Sequence, residues 1–278
     1  MTDASLKAVS TPSIPDEPRT TAKTELAREQ LIRYSRQLRL PDVTAADQQR
    51  LLNTRVALIG LGGLGSPTAL YLASSGIGHL TLCDGDNVEL SNLHRQLLHS
   101  MADLGRNKCD SAQDRLRSIN PVLSITKVPE YLAGPVLDTT IASCDLVVDA
   151  SDNFPTRFAV NASCARHLKP LLSGSVIRME GQASMFRHDL LHAPCYRCLY
   201  SPDEDNLFGS CDGEGILAPV AGIIGTIMAT ETLKFVLTGQ SSLDGQLLQV
   251  DARQLNMKLS LLRNDPSCPT CAARRTSP

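Results

Sequence analysis

A glycine-rich segment lies between the first apolar run of the chain and a segment with helical periodicity. Its glycines, Gly60, Gly62, Gly63 and Gly65, include the spacing Gly-x-Gly-x-x-Gly. Glycine lets the backbone approach a nucleotide phosphate closely, and the N–H groups at the start of the following helix favour its negative charge. Asp84 ends the next apolar run, where an acid commonly binds ribose hydroxyls. The pattern predicts a nucleotide-binding loop, with a glycine-rich turn that binds nothing as the alternative.

Cationic and acidic residues follow this loop at the ends of other apolar runs. Asn92, Arg95 and Lys108 come after the second run, and Asp152 and Asn153 come after the fourth. The carboxyl ends of parallel strands meet at one edge of a sheet, which would bring these side chains together. Such a set suits phosphate chemistry better than hydride transfer. Taken singly, each has a structural interpretation as a solvated helix residue or a helix cap.

Four of the nine cysteines form two C-x-x-C pairs, Cys195 with Cys198 and Cys268 with Cys271. Four thiolates from two such pairs fit a closed tetrahedral zinc site, which leaves no open position for catalysis and is therefore structural. The alternative is a thioredoxin-like redox pair, although neither pair opens a suitable strand–helix–strand pattern.

A fifth cysteine of interest, Cys211, stands alone in the polar stretch 200–215 near Asp212 and Glu214. A covalent role would require its thiolate, and the two neighbouring acids disfavour that form. Two interpretations of Cys211 remain open: it is a nucleophile, or it is a loop cysteine without a catalytic function.

The elements that must position these residues follow an alternating pattern. Short runs rich in Val, Ile, Leu and Thr are separated, in most cases, by segments with helical periodicity, which predicts a doubly wound parallel sheet. The expected strands are Val56–Ile59, Leu80–Cys83, Leu123–Val128, Leu146–Asp149 and Leu171–Val176. The expected helices are Ser66–Ser75, Arg106–Ile119 and Arg157–His167.

The pattern changes after Gly174. Three further strands, Gln182–Phe186, Leu247–Asp251 and Met257–Leu262, follow without crossover helices, apart from a helix over Val220–Leu237 that Gly239 ends. The fold class expected is therefore α/β, a Rossmann-like doubly wound sheet whose parallel N-terminal part is extended by mixed or antiparallel C-terminal strands.

Composition and charge exclude several classes of protein. The 278 residues are 42% hydrophobic and 20% charged, with a net charge of −2 and no long run of like charges, so nucleic acid is not an expected partner. The apolar stretch Ile216–Ala229 is shorter than the roughly 18 residues that cross a bilayer. Residues 1–24 lack the apolar core of a secretory signal and are expected to form a disordered arm, so a cytoplasmic location is expected.

Several of these segments, in the same order, resemble the MoeB/ThiF/HesA family of adenylating enzymes, relatives of the ubiquitin-activating enzymes. The matching segments are Arg33–Gln37, Gly60–Gly65, Ser91–Gln96, Lys108 and Asp149–Asn153, and the match extends from about Arg33 to Cys271. Residues 173–182 look closer to MoeB than to ThiF.

The resemblance implies that ATP and Mg²⁺ activate the C-terminal glycine of a ubiquitin-like sulfur carrier of MoaD or ThiS type, in molybdopterin or thiamine biosynthesis. The products would be an acyl-adenylate and pyrophosphate. The resemblance also favours Zn²⁺ at the four paired cysteines and lets Cys211 accept the carrier or sulfur. By the same analogy, Asp84 binds ribose, Asn92 and Arg95 contact phosphates, Lys108 stabilises the charge that builds at the α-phosphate, and Asp152 holds magnesium. Asn153 belongs to the nucleotide site, and Arg36 reaches the phosphates in the partner subunit of a homodimer.

The expected organisation is one adenylating domain over residues 25–278. Its nucleotide-binding part spans about 50–175, and its carrier-binding and zinc part spans about 176–275. No sulfurtransferase domain follows Cys271, so a separate sulfur donor is expected. Two other functions remain open, an NAD-dependent oxidoreductase and a non-catalytic module that binds ubiquitin-like proteins, and release of pyrophosphate separates them from adenylation.

Overall fold

Eight strands of the described residues form one mixed sheet. The computed structural model describes residues 25–201 and 215–271, so the expected arm 1–24 and Cys211 lie outside the described residues. The strands are β1 (Arg55–Ile59), β2 (His79–Cys83), β3 (Ser124–Val128), β4 (Leu146–Asp149), β5 (Leu171–Ile177), β6 (Glu180–Phe186), β7 (Gln246–Asp251) and β8 (Asn256–Leu261). Their order across the sheet is β3-β2-β1-β4-β5-β6-β7-β8.

The first five strands are parallel, and the last three extend the sheet in antiparallel fashion. The strand order reverses at β1, which pairs with β2 on one side and with β4 on the other. Loops that leave the carboxyl ends of strands on either side of such a reversal separate and open a crevice. The expected fold class is confirmed, and the crevice lies where the predicted polar residues converge.

The helices cover both faces of the sheet. They are α1 (Arg28–Arg33), α2 (Ala45–Asn53), α3 (Gly65–Ser75), α4 (Lys108–Ile119), α5 (Gly134–Ser143), α6 (Phe154–Arg166), α7 (Tyr196–Leu199) and α8 (Ala218–Thr238). One core cluster contains apolar residues of α3, α4 and α8, and a second contains residues of α5, α6 and α7.

Helix α5 is a crossover that the expected pattern lacked. It connects the parallel strands β3 and β4, and it begins with Gly134 and Pro135, which read as a turn in the sequence. Proline is well tolerated in the first turn of a helix, where its missing N–H has no partner to lose.

Side-chain caps account for the shifted starts of two other helices. Asn107 Oδ1 accepts from Cys109 N at 2.8 Å, so α4 begins at Lys108 instead of Arg106. Asn153 Oδ1 accepts from Thr156 N at 2.9 Å, so α6 begins at Phe154 instead of Arg157. The predicted glycine stops are confirmed, because Gly76 (φ +98°) ends α3 and Gly239 (φ +73°) ends α8.

Helix α8 is longer than the 14-residue apolar stretch in the sequence indicated. Its 21 residues are apolar enough, by length and composition, to cross a membrane. However, Val220, Ile224 and Met228 are buried in the main core, and the helix packs on α3, β5 and β6. These contacts are those of a core helix.

Candidate functional site

A pocket of about 530 Å³ opens in the crevice at the carboxyl ends of β1, β2 and β4. Most of the residues singled out in the sequence line it, whereas Gly65, Asn92 and Arg36 do not. The predicted residues that line the pocket are Gly60, Gly62, Gly63, Asp84, Arg95, Lys108, Asp152 and Asn153.

The glycine positions of the loop after β1 differ in whether a side chain would fit there. Gly60 has φ +86°, and a Cβ there would lie 2.8 Å from the carbonyl oxygen of Ala150. A Cβ at Gly65 would lie 1.9 Å from the carbonyl oxygen of Gly60. By contrast, a Cβ at Gly62 would meet only Gln96 Nε2, at 3.6 Å. The fold itself therefore requires Gly60 and Gly65, whereas Gly62 keeps the pocket wall free of a side chain.

Asp84, directly after β2, ties two loops together. Its Oδ2 accepts from Leu61 N at 2.7 Å and its Oδ1 accepts from Asp86 N at 2.9 Å. Burial raises the pKa of Asp84, while Lys108 and these backbone donors oppose the rise. Each carboxylate oxygen can accept a second hydrogen bond, so both remain available to a pair of ribose hydroxyls.

Lys108 is the first residue of α4 and is only 4% exposed. Its Nζ lies 2.8 Å from Asp86 Oδ2 and 3.9 Å from Asp84 Oδ2. Burial and the positive end of the helix both disfavour a cation at this position. The two carboxylates offset that penalty and hold a compact ammonium at the wall of the pocket.

Arg95 lines the pocket from the segment after β2. Its Nη1 donates to the carbonyl oxygen of Ser91 at 3.1 Å and lies 2.8 Å from His94 Nε2. Asn92 ends a short 3-10 turn, and its Nδ2 donates to Ser91 Oγ at 3.4 Å. Arg36 is exposed just before another 3-10 turn, outside the pocket of its own chain.

Asp152 and Asn153 follow β4 at the mouth of the pocket. Asp152 is exposed, and Asn153 Nδ2 donates to its Oδ1 at 3.3 Å while Asn153 Oδ1 caps α6. Asn153 is thus a helix cap that orients the acid beside it. An exposed carboxylate at the mouth of a pocket is the kind of ligand with which Mg²⁺ supplements its phosphate and water ligands.

Three polar residues of the pocket received no definite role from the sequence. Gln96 Oε1 is buried and, within the described residues, has no hydrogen-bond partner, so a ligand or water can satisfy it. Ser151 is buried beside Asp149, and a hydrogen bond from its side chain opposes the rise in the pKa of Asp149 that burial causes. Arg157 is 5% exposed and donates to the carbonyl oxygen of Ser151 through Nε at 3.1 Å and Nη2 at 2.5 Å. Gln96 and Ser151 lie within the matching segments and Arg157 lies four residues after one, and only these positions could have drawn attention to them.

The paired cysteines form a second cluster, away from the pocket. The four Sγ atoms of Cys195, Cys198, Cys268 and Cys271 lie within 4.8 Å of one another. Three of their separations are 3.6 Å (195 to 268), 3.8 Å (195 to 198) and 3.5 Å (198 to 271). A tetrahedron with Zn–S bonds of about 2.3 Å has edges of about 3.8 Å, so the donor set fits zinc.

The cysteines of the cluster shift one another's pKa in opposite directions. Hydrogen bonds with Cys198 and Cys271 raise the pKa of Cys195, and the bonds that Cys195 and Cys271 provide lower the pKa of Cys198. Asn161 of α6 donates from Nδ2 to Cys195 Sγ at 3.8 Å and accepts from Tyr196 N at 3.0 Å. Among the described cysteines none forms a disulfide, and burial raises the pKa of Cys144 to about 12.

Comparisons with known proteins agree with this geometry. The ThiF family model matches residues 34–270. The molybdopterin-synthase adenylyltransferase of Escherichia coli (strain K12) is 41% identical over 251 residues, covering 89% of this chain and 98% of the relative. The sulfur carrier protein ThiS adenylyltransferase of the same strain is 38% identical over 247 residues, covering 89% of this chain and 97% of the relative.

Two further comparisons concern a longer relative and a solved structure. The adenylyltransferase and sulfurtransferase MOCS3 of Culex quinquefasciatus is 38% identical over 251 residues, 90% of this chain, which spans 57% of that relative's length. The crystal structure of E. coli MccB with ATP has the same fold, with a TM-score of 0.75 at 23% identity over 86% of this chain and 74% of that one. The family resemblance found in the sequence is confirmed: this chain is a member of the ThiF family.

Proposed function

We propose that the protein is an adenylyltransferase that activates the C-terminal glycine of a ubiquitin-like sulfur-carrier protein with ATP and releases pyrophosphate. The carrier is of MoaD or ThiS type, and the pathway is molybdopterin or thiamine biosynthesis. The observation that carries the proposal is the buried ammonium of Lys108 at the wall of a pocket that also presents the glycine loop and Asp152. The named activities of the full-length relatives support the same reaction.

The chemistry explains why cations surround the glycine loop. A carrier carboxylate oxygen forms a bond to the α-phosphorus, the bond from that phosphorus to the pyrophosphate oxygen breaks, and pyrophosphate leaves with the electron pair. Both reactants are anions, so the site must hold them in line and neutralise their charge. Lys108 stabilises charge at the α-phosphate, and Arg95 binds phosphate oxygens. Magnesium, when held by Asp152, supplies further neutralisation on the phosphates.

Other assignments belong to the same proposal. Asp84 and Asn153 contribute to the nucleotide site, Asn92 contacts phosphates, and the exposed Arg36 acts in the partner's pocket of a homodimer. Residues 25–278 work as one domain, with nucleotide bound by about 50–175 and the carrier and metal by about 176–275.

The cysteine cluster holds structural Zn²⁺, and a separate donor supplies sulfur in the cytoplasm. Cys211 lies outside the described residues, and trapping followed by mass spectrometry of the intact enzyme tests whether it forms a covalent intermediate.

Exchange of labelled pyrophosphate into ATP tests the reaction directly. Wild-type protein with Mg²⁺ and a carrier ending in Gly-Gly should support exchange, and the Asp152→Ala variant should lose it. Asp114→Ala, which removes an exposed carboxylate on the outer side of α4, is the matched control and should keep wild-type exchange. Absence of exchange with both MoaD-type and ThiS-type carriers would contradict the proposal.

A further inference from the structure

Tyr131 is the most exposed aromatic residue of the pocket lining, at 75% exposure, yet its hydroxyl has a defined partner. It donates a hydrogen bond to Asp86 Oδ1. The other oxygen of the same carboxylate, Oδ2, accepts from Lys108 Nζ at 2.8 Å. One carboxylate therefore joins an exposed phenol to the buried ammonium.

Gly85 makes this placement of the ring possible. A Cβ at Gly85 would lie 2.9 Å from Tyr131 N and 3.0 Å from both Cγ and Cδ2 of the ring. The ring thus rests on the bare backbone between Asp84 and Asp86, where any larger residue would collide with it. The absence of a side chain at position 85 and the aromatic ring at position 131 form one complementary contact.

Lys108 depends on Asp86 more than an exposed lysine would depend on an acid. It is buried at the positive end of α4, and Asp86 is its nearest carboxylate. The Asp86 side chain is 45% exposed, so water competes for its oxygens and its rotamer is free to change unless a second group holds it. The hydroxyl of Tyr131 is that second group.

The electrostatics of Asp86 agree with this arrangement. Burial alone would raise the pKa of Asp86, but hydrogen bonds from Lys108 and Tyr131 outweigh burial and lower it. The hydrogen bond to Asp86 in turn raises the pKa of Tyr131. Both directions are those of a phenol that donates to an ionised carboxylate.

We propose that Tyr131 is a positioning residue for adenylation: its hydroxyl fixes the Asp86 carboxylate, which in turn aims the Lys108 ammonium at the phosphate-binding loop. The inference rests on the proposed function for its kinetic consequence but not for its geometry. Tyr131 does not touch the reacting atoms, and it acts only through Asp86.

The test is Tyr131→Phe, which keeps the ring on Gly85 and removes only the hydroxyl. Since the hydrogen bond bears on the transition state through Lys108, kcat for pyrophosphate exchange should fall about five- to tenfold, with KM for MgATP within about twofold. Gly85→Ala should displace the ring and likewise lower kcat, with little change in KM for MgATP. Tyr71→Phe, at an exposed tyrosine of α3, is the matched control and should leave both constants unchanged. An unchanged kcat in Tyr131→Phe would overturn the inference.

A second measurement does not depend on activity. Carboxyl carbon NMR of the folded protein should show that the pKa of Asp86 rises in Tyr131→Phe, because the lost donor favoured the ionised form; the groups facing Asp86 are Asp84, Lys108 and Tyr131. If the wild type supports no exchange but the pKa of Asp86 rises, the proposed function fails and the contact stands. If the pKa of Asp86 does not change, the inference fails whatever the activity.

Discussion

The pocket and the cysteine cluster gather groups from distant parts of the chain in opposite ways. The pocket is open and combines unlike groups: a glycine with positive φ, carboxylates, an ammonium and a guanidinium. The cluster combines four identical atoms, three of them from fully buried residues. The pocket suits a ligand that enters, reacts and leaves, whereas the cluster suits an ion that stays.

The pocket and the cluster also differ in which polar atoms lack a hydrogen-bond partner. In the pocket, Gln96 Oε1 has no protein hydrogen-bond partner within the described residues. In the cluster, each sulfur has sulfur neighbours at the spacing of a tetrahedron, and Asn161 supplies an amide donor. Removing a charged group of the pocket should therefore change activity with little effect on stability, and removing a sulfur of the cluster should do the reverse.

The largest expected effect is that of Lys108→Met. Removing the ammonium should slow adenylation about 10²- to 10³-fold, the range seen when one charge-stabilising donor is lost. The free energy of unfolding should change by no more than about 1 kcal/mol, because Asp86 is close to water. Pyrophosphate exchange and urea denaturation measure the two quantities. A slowing of less than tenfold would remove Lys108 from its proposed role.

Cys268→Ser should show the opposite pattern. One lost thiolate should empty most of the metal site and lower the free energy of unfolding by about 3 kcal/mol or more, since a structural metal is coupled to folding. Elemental analysis and urea denaturation give the result. Cys164→Ala, which alters a buried core cysteine far from the cluster in sequence, should keep the metal. Equal metal content in both variants would show that the cluster is not the metal site.

A smaller pair of effects separates two roles of glycine within the pocket. Gly60→Ala places a methyl group 2.8 Å from the Ala150 carbonyl oxygen at positive φ, so it should lower stability by about 2 kcal/mol. Gly62→Ala meets only a side-chain nitrogen at 3.6 Å, so stability should hold while ATP affinity falls about tenfold. Thermal denaturation measures the stability of both variants, and titration with ATP measures their affinity for the nucleotide. A loss of stability in Gly62→Ala would contradict the distinction between the two glycines.

The smallest expected effect is that of Asn153→Ala. The variant loses the cap of α6 and the amide beside Asp152, and it should lower the free energy of unfolding by about 1 kcal/mol. Asn153→Asp keeps a capping oxygen and should recover most of that loss. Urea denaturation of Asn153→Ala and Asn153→Asp measures the difference. Equal free energies of unfolding for these two variants would mean that the cap does not contribute to stability.

Much of this fold was predictable from local sequence. The apolar runs predicted all eight strands, and glycines at positions that need positive φ predicted the ends of α3 and α8. The spacing of the C-x-x-C pairs also predicted that their four sulfurs meet. In each case the physical cause acts over a few residues or repeats with a simple period.

What could not be predicted depends on contacts between distant residues. Tyr131 acquires its partner because Gly85, on another strand's loop, leaves space for its ring. Arg157 is buried rather than solvated because the loop after β4 turns its Ser151 carbonyl oxygen toward it. Helix α5 was missed because its opening Gly-Pro also fits a turn, and only the need for a crossover between parallel strands decides between the two.

Helix α6 touches both regions. Its cap adjoins Asp152, and Arg157 near its start donates to the Ser151 carbonyl oxygen. Asn161, about one turn further on, contacts Cys195 and Tyr196. Thirteen helical residues span about 20 Å as a stiff rod. The loop that carries Asp152 and the cysteine cluster are consequently both attached to α6. The position of Asp152 at the pocket mouth therefore depends on the contacts of Asn161 with Cys195 and Tyr196.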